Sequence, residues 1–207
     1  MFNNYKIILW DFDGVIMDSM PVRDKGFEIV LKNYPKDQVS LLMEYHRSNG
    51  GLSRYNKFRY FFEEIRKESV NDSDIKLLAE EFSVVMLENL LDSSLLIQDS
   101  LNFIKENYLK YNMHIVSGSD GVELRYICET LGLSKYFISI NGSPTPKNQL
   151  VMNLLIENKY KNEQTCLIGD SFNDLEAATV NDIVFYGYNN ELLLAKSKRY
   201  IQTFSNI

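Results

Sequence analysis

Hydrophobic and polar residues follow two different rhythms along this chain. Lys6–Trp10 (KIILW) is a short apolar, β-prone run ended by Asp11, Asp13 and Gly14, and it predicts a first strand. Residues 21–91 are then heavy in Leu, Phe, Tyr, Lys and Glu, with breaks mainly at Pro35 and at Gly50-Gly51, which predicts helices throughout. Within that block Phe58, Phe61, Phe62 and Ile65 share one helical face. After about residue 92 helical and strand-like runs alternate. Helix Gln98–Tyr111 leads to strand His114–Ser117, and helix Gly121–Leu131 to strand Phe137–Ile140. Helix Asn148–Asn158 leads to strand Thr165–Ile168, and helix Leu175–Val180 to strand Ile183–Tyr188.

Strands alternating with helices predict a parallel sheet covered on both faces. The expected fold class is therefore α/β: a Rossmann-like, doubly wound core of residues 1–17 and 92–207, with residues 18–91 inserted as an α-helical cap domain. The chain shows no internal repeat and no low-complexity linker.

Composition narrows the function. At 207 residues the chain can bury one good core and a smaller lobe. Its net charge is −6 and it has no Lys/Arg-rich run, so nucleic acid is not an expected partner. The apolar run near the start is too short for a signal-peptide core, and no stretch approaches a membrane span, so the expectation is a soluble, cytoplasmic protein with no membrane partner. Cys128 and Cys166 stand far apart, with no Cys or His at metal-ligand spacing, and read as buried thiols of a reducing compartment.

Polar residues gather where the strands end. The first strand ends in Asp11-Phe12-Asp13-Gly14, the second in Ser117-Gly118-Ser119, and the fourth in Gly169-Asp170-Ser171-Phe172-Asn173-Asp174. A stiff loop, Ser143-Pro144-Thr145-Pro146-Lys147, precedes the third of the later helices. In open α/β sheets ligands bind beyond the carboxyl ends of the strands, so these four clusters are expected to converge. Asp11, Asp170 and Asp174 offer the hard oxygens that Mg²⁺ prefers. Ser117 offers a hydroxyl, Gly118 allows close approach of backbone N–H groups to an anion, and Lys147 adds a positive charge. A carboxylate beside a metal and a lysine can attack phosphorus. Taken singly, each cluster has a plain structural reading as a turn, a helix cap or a solvated lysine. Their occurrence together, in this order at strand ends, is what points to chemistry.

Together these residues resemble the haloacid dehalogenase superfamily, in particular its phosphatases with a helical cap after the first strand, the phosphoglycolate phosphatase and β-phosphoglucomutase-like group. Asp11-Phe12-Asp13-Gly14-Val15 is similar to the family's first motif, Ser117 to its second, Lys147 to its third, and Gly169-Asp170 with Asp174 to its fourth. The resemblance implies that Asp11 attacks the phosphoryl group. Asp13 would protonate the leaving alcohol and then deprotonate the hydrolytic water. It implies that Ser117 and the Gly118 amide hold phosphoryl oxygens while Lys147 neutralises charge. Mg²⁺ is implied on the Asp11 carboxylate, the Asp13 backbone carbonyl and Asp170, with Asp174 direct or through water. The presence of this metal-binding set argues against dehalogenation.

In the inserted block, Asn49-Gly50-Gly51-Leu52-Ser53-Arg54 resembles the specificity loop of sugar phosphomutases and related phosphatases, which makes Arg54 a candidate substrate ligand. Arg23, Arg47 and Lys57 are further candidates. His46 and His114 are expected to be structural, His114 without an evident partner. The expected partner is a small phosphorylated metabolite, a sugar phosphate or a related polar alcohol phosphate, with the oligomeric state open. A sugar phosphomutase is the nearest rival, but Arg23 stands about where such chains carry a histidine. A phospho-Asp signalling domain fits less well: it carries the acceptor on a later strand and needs no inserted helices. A catalytically silent relative has no support from motifs that are all present.

Overall fold

The computed structural model describes residues 2–207. Six parallel strands form one sheet: β1 (Ile7–Trp10), β2 (Asn112–Asp120), β3 (Ser139–Ser143), β4 (Thr165–Gly169), β5 (Val184–Tyr188) and β6 (Tyr200–Ile201), in the order β3-β2-β1-β4-β5-β6. β1 lies in the middle, with Ile8 in register with Met113 of β2 and Cys166 of β4. Its side chains alternate between the faces. Ile8 and Trp10 join a large apolar cluster on one side, and Ile7 and Leu9 join a second cluster with Leu150, Leu154 and Ala178 on the other. This is the doubly wound arrangement that the alternation predicts.

Four helices lie between β1 and the remaining strands: α1 (Met20–Val30), α2 (Lys36–Ser48), α3 (Arg54–Tyr60) and α4 (Asp72–Asn89). The breaks fall at the expected signals, with Pro35 at the N-cap of α2 and Ser53 capping α3 through the Asn56 N–H at 3.3 Å. One turn departs from the α-helical expectation. Phe61–Arg66 winds as a π-helix, and its wider turn lets both Phe61 and Phe62 meet the Tyr34 ring edge-on at 5.3 and 5.6 Å.

The later helices are α5 (Gln98–Asn107), α6 (Gly121–Thr130), α7 (Lys147–Glu157) and α8 (Phe172–Val180). Several boundaries differ from the sequence expectation, for identifiable reasons. β2 runs on to Asp120 because Ser117-Gly118-Ser119, polar and without an apolar signal, stays extended, with a register irregularity against β3 after Val116. The third strand starts two residues later than expected. Phe137 fills the core from the preceding turn, and the edge strand itself reads Ser-Ile-Asn-Gly-Ser. α5 stops at Asn107, whose side chain turns back onto the Phe103 carbonyl. The two-residue β6 is too short to leave a periodic signal. Both cysteines are free and buried, and among the described residues no helix is long and apolar enough to cross a membrane.

The C-terminal segment closes over the residue that precedes Asp11. Phe204 packs against Trp10, Phe103 and Tyr188 at ring separations of 5.5, 5.1 and 5.0 Å. Asp99, at the start of α5, holds that segment by accepting from the Phe204 N–H and the Thr203 hydroxyl. Phe204→Ala empties a packed site, and the expected cost is about 3–5 kcal/mol of unfolding free energy, measurable by urea titration.

Candidate active site

The strand order turns between β1 and β4, and each of these strands is followed at once by an aspartate: Asp11 after Trp10 and Asp170 after Gly169. Asp11 thus sits at the topological switch point, where open α/β sheets form their crevice. Lys147, the first residue of α7, lies 2.8 Å from Asp11 Oδ1 and also donates to Asp174 Oδ1. Asp174 is fully buried in the first turn of α8. Its other oxygen accepts from the Ser171 N–H at 3.0 Å and the Ser171 hydroxyl at 2.6 Å, closing a capping box. With both oxygens engaged, Asp174 anchors Lys147 and the helix start.

Asp11, Asp170 and Asp174 can each place an oxygen within 4.8 Å of the others. Their mutual repulsion shows in their protonation. Burial, together with Asp174, pushes Asp11 up to about 7 against the pull of Lys147, and burial with Asp11 raises Asp170 well above the ordinary carboxylate range. The single ammonium does not balance the set, and the donors are all hard oxygens. Both facts fit a divalent cation such as Mg²⁺. Gly14 is dictated by this packing. Its φ is +74°, and a Cβ there would lie 1.9 Å from Asp170 Oδ2. Side chains of the loop after β5 tie the same turn, Asn189 donating to the Gly14 carbonyl at 2.9 Å and Asn190 to that of Asp170 at 2.7 Å.

Asp13 is held differently. Its Oδ1 accepts from Ser19 Oγ and from Arg23 Nε at 2.6 Å, and its Oδ2 accepts from Ser119 Oγ at 2.5 Å. Burial favours its neutral form, but Arg23 and the two serines outweigh burial and hold its carboxyl below the usual range. Ser117 is buried, and its hydroxyl oxygen accepts the Ser119 N–H at 3.1 Å, which leaves its own proton to donate. Gly118 meets the inserted helices directly: a Cβ there would lie 2.3 Å from the Gly51 carbonyl oxygen. A cleft of about 330 Å³ is lined by Asp11, Asp13, Gly118, Asp170 and, from the inserted block, Gly50 and Arg47.

Arg54 is buried and points at the core. Its Nη1 lies 2.7 Å from Glu123 Oε2 of α6 and 2.7 Å from Ser83 Oγ, with the guanidinium over the Phe82 ring. Glu123 also receives Arg23 Nη1 at 3.4 Å, so one buried carboxylate joins two arginines of the inserted helices to α6. Lys57 is buried too and donates to His46 Nδ1 at 2.8 Å. Arg47 is exposed and pairs with Asp24 at 2.8 Å. His114, on β2 in register with Leu9, has partners that the sequence did not suggest, Ser139 Oγ at 2.7 Å and the Tyr160 hydroxyl at 3.0 Å. Sequence reasoning missed Glu123, Ser19 and a role for Ser119. Only the position of Ser119, two residues after Ser117 at the same strand end, carried a signal.

A family model described as haloacid dehalogenase-like hydrolase matches residues 8–187. No curated protein matches the chain. Among solved structures, a protein described as a predicted phosphoglycolate phosphatase from Haemophilus somnus 129pt superposes with a TM-score of 0.73 at 17% identity, covering 100% of this chain and 97% of that one. A β-phosphoglucomutase from Clostridium difficile gives 0.77 at 15% identity, covering 98% and 93%. The HAD-hydrolase YfnB from Bacillus subtilis, bound to magnesium, gives 0.69 at 16% identity, covering 99% and 97%. At these identities the likeness to solved structures establishes the fold.

The raised Asp11 has a consequence for stability. Between pH 3.8 and about 7 the unfolded chain has lost the Asp11 proton while the native state keeps it, so this group lowers stability as pH rises through that window. Chelated Asp11→Asn protein is therefore expected to gain stability over chelated wild type as pH rises from the lower value to the upper. His46 and His114, depressed by burial to about 2 and about 4, are common to both proteins and cancel in the difference. Paired urea titrations across the window read the gap, and a gap that is flat or shrinks with pH contradicts this reading of the site.

Proposed function

The chain belongs to the haloacid dehalogenase-like hydrolase family, and we propose that it is a Mg²⁺-dependent phosphomonoester hydrolase with Asp11 as nucleophile. The observation that carries the reading is the switch-point arrangement, with Asp11 2.8 Å from Lys147 and within reach of Asp170. Asp11 and Asp170 would hold Mg²⁺ with the Asp13 backbone carbonyl, Asp174 acting through its hold on Lys147. When bound, the ion would supply the positive charge that keeps Asp11 ionised and neutralises phosphoryl oxygens. The division into a core of residues 1–17 and 92–207 and a cap of residues 18–91 belongs to the same proposal.

The chain's own groups then have defined work. An Asp11 oxygen forms a bond to phosphorus as the bond from phosphorus to the leaving oxygen breaks, and that oxygen takes a proton from Asp13. This half therefore draws on the small protonated fraction of a group that Arg23 and two hydroxyls hold ionised. In the second half Asp13 takes a proton from the water that attacks the aspartyl-phosphate, releasing inorganic phosphate and restoring Asp11. Lys147 screens the approach of two negative groups, and the free proton of the Ser117 hydroxyl with the Gly118 amide suits phosphoryl oxygens. Asp13, held by Arg23 and two hydroxyls, is favoured as the carboxylate, the form that takes a proton from water in the second half. The substrate is a small phosphorylated metabolite. Carbohydrate metabolism is our reading of the likeness to a protein named β-phosphoglucomutase.

Hydrolysis of p-nitrophenyl phosphate is expected to require Mg²⁺, to stop with EDTA and to return on readdition, with Zn²⁺ a poor substitute. Asp11→Asn abolishes turnover and the binding of fluoroberyllate, whereas Asp13→Asn slows hydrolysis by roughly 10²–10⁴-fold. Near-wild-type turnover in Asp11→Asn, or full activity after exhaustive chelation, excludes the mechanism.

A further inference from the structure

Beside Asp13 lies a second, smaller cavity of about 20 Å³, walled by Asp13 and Ser119 from the core and by Arg23, Arg54, Lys57 and His46 from the inserted helices. Its wall is unbalanced in charge. Three cationic side chains, all buried, face it. The carboxylates in reach are Glu123, shared between Arg23 and Arg54, and Asp13, paired with Arg23 Nε. Lys57 has neither: its ammonium donates to His46 Nδ1 at 2.8 Å and the Gly50 carbonyl at 3.2 Å, which leaves a third N–H unassigned. His46 Nε2 lies 3.2 Å from Asp24 Oδ1 on the far side of the ring, away from Lys57. Arg23 Nη2 and Arg54 Nη2 are buried donors with no partner. Unfilled donors of this kind are uncommon in native structures and call for an acceptor.

From this geometry we infer that the cavity receives a second anionic group on the substrate, so that the substrate is a phosphorylated acid whose carboxylate meets Lys57, Arg23 and Arg54. The inference rests on the proposed phosphatase reading and narrows its substrate class. The cavity adjoins Asp13, the group that faces the leaving oxygen, so the acid function is carried by the leaving alcohol within a few bonds of the phosphate. Its volume corresponds to one or two water molecules, the size of a carboxylate head rather than a second phosphate. Lys57 is pushed down to about 7 by burial and by the neighbouring Arg23 and Arg54, which outweigh Asp13. An incoming carboxylate relieves that repulsion, and its contacts with these donors are charge-assisted.

Matched substrate pairs test this: 2-phosphoglycolate against 2-hydroxyethyl phosphate, and 3-phosphoglycerate against glycerol 3-phosphate. A third pair, glucose 1,6-bisphosphate against glucose 6-phosphate, asks whether a second phosphate serves instead. With Mg²⁺ present, kcat/KM is expected to favour the acid of each of the first two pairs by roughly 10- to 150-fold. Lys57→Met should shrink that preference to within about threefold, and the ratio is insensitive to the amount of folded protein. Calorimetric titration of Asp11→Asn protein with the same pairs reads the preference without turnover, so it decides the matter even where no substrate is hydrolysed. Equal or better use of the neutral partners, a preference confined to the bisphosphate pair, or a preference untouched by Lys57→Met overturns the inference. Hydrolysis with no preference for the acid leaves the phosphatase reading standing. Absence of hydrolysis of any phosphomonoester counts against that reading alone.

Discussion

Crowding of buried carboxylates around one buried ammonium is the constraint from which the rest of this site follows. Asp11, Asp170 and Asp174 stand within 4.8 Å of one another, and Lys147 reaches two of them. Burial foremost, and then the like charges beside them, make Asp11 and Asp170 hold their protons more tightly than free carboxylic acids. The fold spends several residues on keeping this set assembled. Gly14 makes room for Asp170, Ser171 fixes Asp174 through the capping box, and Asn189 and Asn190 brace the two turns from the neighbouring strand. An assembly that is electrostatically unfavourable by itself, yet braced from several sides, is the pattern expected of a site built to receive a cation.

The inserted helices meet this site through ions rather than through a purely apolar seam. Arg23 spans Asp13 and Glu123, and Arg54 reaches Glu123 from a second helix. Buried ion pairs of this kind contribute little net stability, because desolvation offsets much of the attraction, but they penalise misplacement heavily. Their effect is to fix where α1 and α3 sit over the core. Arg23 thereby links the placement of the inserted helices to Asp13, so the position of those helices and the ionisation of Asp13 are set by the same side chain.

Much of this was legible in the sequence, and the part that was not has a physical reason. The alternation of helices and strands reports the sheet, because burial on both faces imposes it locally. Asp11, Asp13, Lys147, Asp170 and Asp174 stand out because each falls at a strand end or in the loop beside one, and strand order then brings them together. Glu123 gave no such signal: an acid in the first turn of a helix is the ordinary complement to its dipole. Arg23 and Lys57 stand out in the sequence only as further candidates to meet a substrate, and His46 only as a structural residue. Their burial depends on how those helices dock on α6 and β2, a tertiary fact that periodicity does not encode. Phe61 and Phe62 are placed on one helical face by periodicity, but the π-turn that lets both reach Tyr34 depends on packing as well.

The two halves of the crevice carry opposite deficits. On the Asp11 side there is more negative charge than Lys147 can balance, and on the Lys57 side more positive charge than Glu123 and Asp13 can balance. Asp13 stands between them, tied to the cationic side by Arg23. A magnesium ion would answer the first deficit, and a carboxylate on the leaving group would answer the second. A phosphorylated acid bound with its metal would therefore leave both halves better balanced than either is alone. Neither ligand can supply the charge that the other provides, so the two sites are complementary through the substrate that joins them. Selectivity for an acid would then come from the same interaction that sets the helices over the core, because the arginines that would grip the carboxylate are the ones that hold Glu123 and Asp13.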